Sequence, residues 1–252
     1  MGYSEEVIGC KSLDELFGIW KNKNPEAKLY EHKKKQHEIQ INHAENKYIS
    51  DGVVNDEVWN SGKSKKILYV LKEAYTDDTE GYDLAKWLRG EPDYRMWNRV
   101  ARWTYGIQNT TADAIARYNP SIDKDEAVRK QSFNQIAVLN LKKSNGQSTS
   151  VIEEIAAYAE CDREEIIKEF QMIDADIVIC GSTFWILYQI VFGNEPLKGS
   201  HACDNWYYYK NLDGKERLYI DYYHPANQWP DLVNYYAVMN IYQQALIEKA
   251  GK

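Results

Sequence analysis

From residue 63 onward, apolar positions gather into short runs at regular intervals: ILYVL (67–71), IAVLNL (136–141), DIVIC (176–180) and RLYIDYY (217–223). The first three are nearly unbroken, the pattern of a parallel strand covered on both faces. Between them, apolar residues recur at helical spacing over 81–106, 149–160, 162–174 and 183–192, and a last helix starts near Asp231. WYYYK (206–210), an Asp213-Gly214 turn and RLYIDYY read as a hairpin, since Asp-Gly suits the tight turn between two strands. The alternation predicts an α/β fold: a three-layer α/β/α sandwich around a central, mostly parallel four-stranded sheet.

Residues 1–62 are more polar and carry no strand-like run of this kind. They are expected to form a mostly helical N-terminal extension packed on a core domain of residues 63–252. Ser12 followed by Glu15 fits a capping box, and Leu13, Leu16, Phe17 and Trp20 form an apolar stripe. The stretch EHKKKQHE (31–38) has two readings, a solvated helix face or a patch that contacts phosphate.

Composition narrows the classes. Hydrophobic residues make up 44% and charged residues 27%, as in globular proteins. The 20 Tyr and 8 Trp against 5 Phe favour rings with a polar handle, suited to pockets and interfaces. A net charge of −7 requires any nucleic-acid contact to rest on a local basic patch. Cys10, Cys161, Cys180 and Cys203 have no C-x-x-C spacing, so neither a metal site nor an iron–sulfur cluster is expected. The N-terminus lacks the layout of a signal peptide, and no apolar stretch is long enough to span a bilayer. The resulting expectation is a cytoplasmic protein without membrane contact.

In open α/β sheets, ligands bind beyond the carboxyl ends of the strands. If the four runs are parallel, one rim holds Glu73 and Tyr75 after the first, Asn140 at the end of the second, Gly181-Ser182-Thr183 after the third, and His224-Pro225-Ala226-Asn227-Gln228-Trp229 after the fourth. Each has a plain structural alternative. Glu73 could sit at a helix N-terminus. Asn140 could satisfy loop backbone, and Ser182 could cap a helix. Pro225 could simply end a strand, and Trp229 could belong to the core.

The order of these segments resembles the uracil-DNA glycosylase superfamily. Val70-Leu71-Lys72-Glu73-Ala74-Tyr75 resembles its first motif, His224-Pro225-Ala226 its second, and Ala137-Val138-Leu139-Asn140 its base-reading strand end. The resemblance implies the following roles. Glu73 positions the attacking water. Tyr75 blocks the pocket or stacks near it, Asn140 reads the base edge, and His224 stabilises charge on the leaving base. Residues 226–229 enter the duplex, with Trp229 as a wedge. It further implies DNA or a nucleobase-containing partner and no cofactor. A carboxylate suits the oxocarbenium sugar of N-glycosidic cleavage, and a donor suits the departing base. Leu71 or Lys72 stands where the family motif starts with Gly, Ala74 where it has Pro, and Ala226 where it has Ser.

Three functions therefore stand side by side. One is a divergent DNA glycosylase acting on a modified, deaminated or mismatched base. Another is a non-catalytic module binding a nucleobase, nucleotide or nucleic acid on the same fold; in the enzyme reading Tyr75, Asn140, Ser182, Asn227 and Trp229 are the candidate substrate contacts. The third is a hydrolase using Ser182 and His224, for which the G-x-S-x-G elbow is missing.

Overall fold

A computed structural model describes residues 4–122, 124–197 and 206–251. The chain opens with α1 (Glu5–Gly9) and α2 (Leu13–Lys21), then β1 (Glu26–His32), β2 (Lys35–Ile41), β3 (Gly52–Val53) and α3 (Asp56–Asn60). There follow β4 (Ile67–Glu73), α4 (Leu84–Leu88), α5 (Arg95–Asn109), α6 (Glu126–Phe133) and β5 (Ile136–Lys142). The remainder is α7 (Ile152–Cys161), α8 (Arg163–Ile173), β6 (Ile177–Gly181), a π-helical turn (Ile186–Val191), β7 (Tyr207–Asn211), β8 (Glu216–Tyr222) and α9 (Asp231–Ala250).

The main sheet has the order β3-β5-β4-β6-β8-β7. Its four central strands are parallel, and β3 and β7 pair antiparallel at the two edges. The four apolar runs are these central strands, so the sheet has six strands rather than four among the described residues. Side chains alternate cleanly between faces. Ile67, Tyr69, Val138, Ile179 and Ile220 pack with Val100, Trp103 and Val238 of α5 and α9. Leu68, Val70, Leu139, Val178 and Tyr219 pack with Ile155, Ile166 and Phe170 of α7 and α8. Helices thus cover both faces, which is why these strands carry no polar alternation. Each fully buried Val, Leu or Ile contributes about 1.5–3 kcal/mol.

The N-terminal segment departs from the mostly helical expectation. Residues 26–41 form the antiparallel hairpin β1–β2, with Glu26 opposite Ile41 and His32 opposite Lys35. EHKKKQHE is therefore the end of a hairpin and not a helix face. Its turn residues Lys33 and Lys34 have φ of 51° and 62°, the left-handed conformation that a type I′ turn requires at both positions. The Ser12 half of the capping box forms at α2, where the Glu15 N–H donates to Ser12 Oγ at 3.2 Å, while Glu15 Oε2 accepts the Lys11 N–H at 2.7 Å in place of the Ser12 N–H.

Buried polar groups tie this segment to the sheet. Asp51, just before β3, accepts from the Asn140 N–H at 2.7 Å and Nδ2 at 3.1 Å and is ion-paired with Lys143. Lys143 also meets Glu169 at 2.8 Å, and both side chains are wholly buried. Burial and the nearby Asp51 charge push the Glu169 carboxyl well above its usual range. His43 bridges Ser144 at 3.0 Å and Asp162 at 3.1 Å in the same layer.

The 183–192 helix is short and wide. It is drawn into a π turn in which the Phe192 N–H donates to Leu187 O at 3.0 Å. Arg163 Nε donates to the carbonyl of Val191, its last residue, at 2.6 Å. Cys203, one of the four cysteines, lies outside the described residues. No described helix is long and apolar enough to cross a membrane.

Candidate functional site

Register places the carboxyl ends of β5, β4, β6 and β8 along one rim. Glu73 stands opposite Lys142, Val70 opposite Cys180, and Gly181 opposite Tyr222. Glu73, Ser182 and His224 therefore emerge from neighbouring strand ends.

His224 is fixed from two sides. Its backbone N–H donates to Ser182 Oγ at 3.2 Å, and its ring Nδ1 accepts the Ala226 N–H at 3.2 Å. A neutral ring with Nδ1 occupied in this way carries its proton on Nε2 and presents a donor. Burial, and then the Lys72 ammonium, push its pKa down from 6.5 to about 4. The ring packs against Gly181, where a Cβ would stand 3.3 Å from His224 Cδ2 and 3.0 Å from Leu71 Cδ2. Ser182 itself adopts φ 60°, and its N–H donates to the Tyr222 carbonyl at 2.7 Å. Ser182 Oγ meets the His224 backbone rather than its imidazole, so the nucleophile–base contact of a serine hydrolase is missing.

The loop after His224 is pinned by a buried guanidinium. Arg99 on α5, 1% exposed, donates from Nη1 to the Pro225 and Asn227 carbonyls at 2.6 and 2.8 Å. Its Nη2 reaches the Trp229 carbonyl at 3.1 Å, and Nε meets Asp231 at 2.9 Å. Asn227 is engaged within this loop: Nδ2 donates to His224 O at 2.9 Å, and Oδ1 accepts the Trp229 N–H at 3.0 Å. It also pairs with Asn234 of α9. The Trp229 side chain stands outside, 54% exposed, with its ring 6.5 Å from that of Tyr223, which is 43% exposed.

Glu73 is held in a tight setting. Its Oε2 accepts from Lys142 Nζ at 2.8 Å, and Lys142 also reaches Glu154 of α7 at 2.6 Å. Gly146 closes over the carboxylate, since a Cβ there would lie 2.6 Å from Glu73 Cδ. The adjoining loops are clipped together by Asn145, whose amide accepts the Thr76 N–H at 2.8 Å and donates to the Thr76 carbonyl at 3.1 Å. Tyr75 is half exposed, and its hydroxyl donates to Asp77.

Asn140 sits lower. It pairs with Leu71 in register, is 2% exposed, and gives its side-chain N–H to Asp51. The structure thus brings Glu73, Ser182 and His224 to one rim, with Trp229 beside it. Asn140 is engaged beneath it, and Asn227 serves as a loop brace. Lys142, Arg99 and Asp51 were missed from sequence. The Lys142-Lys143 doublet at the end of a buried strand was the available signal, because buried cations need carboxylates.

Two clefts lie elsewhere. One of about 1280 Å³ runs along Glu15, Lys23, Glu26 and Cys161, and one of about 720 Å³ along Asp51, Asp56, Lys66 and Asp83. The first is lined by groups already paired, such as Lys23 with Glu165 at 3.1 Å, and burial drives the Cys161 thiol far above its ordinary range. Volume alone gives neither cleft the convergent chemistry of the rim. Among the described residues no group of three or more His, Cys, Asp or Glu side chains is arranged to hold a metal ion. No protein-family model matches the chain, and no curated protein matches it.

Proposed function

We propose that the protein is a divergent DNA glycosylase of the uracil-DNA glycosylase type, hydrolysing the N-glycosidic bond of a modified, deaminated or mismatched base. The observation that carries this reading is His224, a neutral imidazole whose Nδ1 is occupied by the Ala226 N–H, standing on the same rim as Glu73. Cleavage leaves negative charge on the base, and an Nε2–H donor stabilises it without first losing a proton. In this reading Glu73, held by Lys142, orients the water that attacks the sugar. Exposed Trp229 and Tyr223 supply flat faces beside the site for a duplex whose base has left the stack.

The test is incubation with a panel of duplex and single-stranded oligonucleotides carrying modified, deaminated and mismatched bases. Abasic product from the wild type, reduced at least about 100-fold in Glu73→Gln and His224→Ala, is the expected result. Equal product from both variants would refute the assignment.

A second reading, ligand binding on this rim without turnover, is favoured by the burial of Glu73. Its side chain is 4% exposed and ion-paired. Saturable nucleobase or oligonucleotide binding with no product at long incubation separates the two.

A further inference from the structure

The geometry points to the β1–β2 hairpin as a phosphate clamp: Lys33, Lys34 and Lys35 grip the backbone of a nucleic-acid strand lying across the rim that carries Glu73 and His224. Placement is the first support. Helix α7 begins where the loop after β5 returns from the rim, and its first turn carries Glu153 and Glu154. His32 Nδ1 lies 3.0 Å from Glu153, and the Tyr30 hydroxyl reaches Glu154 at 3.5 Å. Glu154 in turn meets Lys142, which holds Glu73. Strand β1 is therefore joined to the candidate site by a continuous chain of contacts from Tyr30 through Glu154 and Lys142 to Glu73.

The turn itself is the second support. Lys33 and Lys34 both adopt positive φ, where Asn and Gly are favoured and a lysine is strained. Lys33, Lys34 and Lys35 are exposed, and none has a carboxylate partner among the described residues. Glu31 and Glu38 lie further down the strands, and Glu38 is engaged by Gln40 at 3.3 Å. In a chain of net charge −7, this is a projecting cationic tip of the kind that phosphates require. The proposed function enters only in laying the strand over the rim, because binding needs no turnover.

The experiment is fluorescence anisotropy of a labelled, unmodified single-stranded oligonucleotide, titrated across salt concentration. Lys33→Gln/Lys34→Gln/Lys35→Gln should weaken binding roughly tenfold or more at low salt and reduce the log–log salt slope by about 2. Lys33→Asn/Lys34→Gly preserves the turn type, so it should raise the melting temperature while still weakening binding; this separates charge from folding. Absence of wild-type binding at low salt, or wild-type affinity and slope in both variants, overturns the clamp. So does lysine-dependent binding to anionic phosphatidylserine vesicles without binding to the oligonucleotide. Lysine-dependent binding with no abasic product leaves the clamp standing and removes the glycosylase reading alone.

Discussion

Glu73 Oε2 and Lys142 Nζ stand 2.8 Å apart at adjacent strand ends, each side chain 4% exposed. The candidate catalytic carboxylate is thus also part of the packing. Glu73→Gln should lower stability by about 1–3 kcal/mol, because Lys142 keeps Glu154 as a partner at 2.6 Å and is not left alone. Chemical denaturation of the variant checks the figure. A loss above about 5 kcal/mol would mean that Glu154 does not hold the ammonium by itself.

His224 should titrate far below an ordinary histidine, near 4. A depressed folded value contributes stability above the unfolded pKa of 6.5 and loses it as pH falls toward about 4. Between pH 5 and 8 this ring should stay neutral, with its proton on Nε2. NMR titration of the imidazole nitrogens reads both properties. In Lys72→Met the titration should move upward, since one of the two depressing influences is removed. A wild-type midpoint near 6.5 would contradict the whole picture of the site.

Lys143→Met should destabilise the protein by about 3–5 kcal/mol, because it leaves Asp51 charged and buried without its ammonium. Asp51→Asn combined with Lys143→Met should recover part of that loss. Glu169 behaves in the opposite sense. Its folded pKa is raised, so its contribution is complete below 4.5 and fades as pH rises toward the raised value. Glu169→Gln should therefore weaken the fall in melting temperature as pH rises above 4.5, and an unchanged fall would count against a raised carboxyl.

Arg99→Met should free the 225–230 loop, because three carbonyls and Asp231 lose their shared donor. Limited proteolysis should cut the variant in this loop while the wild type resists, with a stability loss of roughly 3 kcal/mol. Arg99→Lys should restore only part of the protection, since an ammonium cannot fork to four partners at once. Resistance of Arg99→Met equal to wild type would show that the Asn227–Asn234 pair suffices.

The central strands were legible because burial on both faces left unbroken apolar runs, as in Ile67 to Leu71. The β7–β8 hairpin was legible from Asp213-Gly214, whose glycine takes φ 96°. Hairpin β1–β2 was not. Leu29 faces solvent at 62% exposure while Tyr30 turns toward α7, and its turn uses lysines where a hairpin usually announces itself with Asn-Gly. Strand β3, two residues long, offers no period to detect. At the site, His224 was visible because a proline follows it directly at a strand end. Arg99 was hidden, since its partners are carbonyls supplied by a distant loop and carbonyls have no sequence signature. Asn140 lies on the expected strand but beneath the rim rather than on it, and nothing in its own neighbourhood foretold Asp51.

The glycine that closes over Glu73 sets a rule for finding relatives. No side chain fits at position 146 without displacing the carboxylate or the Ala74 carbonyl, which a Cβ would approach to 2.8 Å. Asn145 beside it is committed to Thr76. A chain that keeps this acid in this setting must therefore keep Gly after its second central strand together with the Glu at the end of its first, and an Asn before that glycine supplies the clip to the backbone three residues beyond the acid. Neither half is informative alone. Sought jointly, they form a two-part signature by which distant members of the same lineage can be recognised even after their remaining residues have diverged.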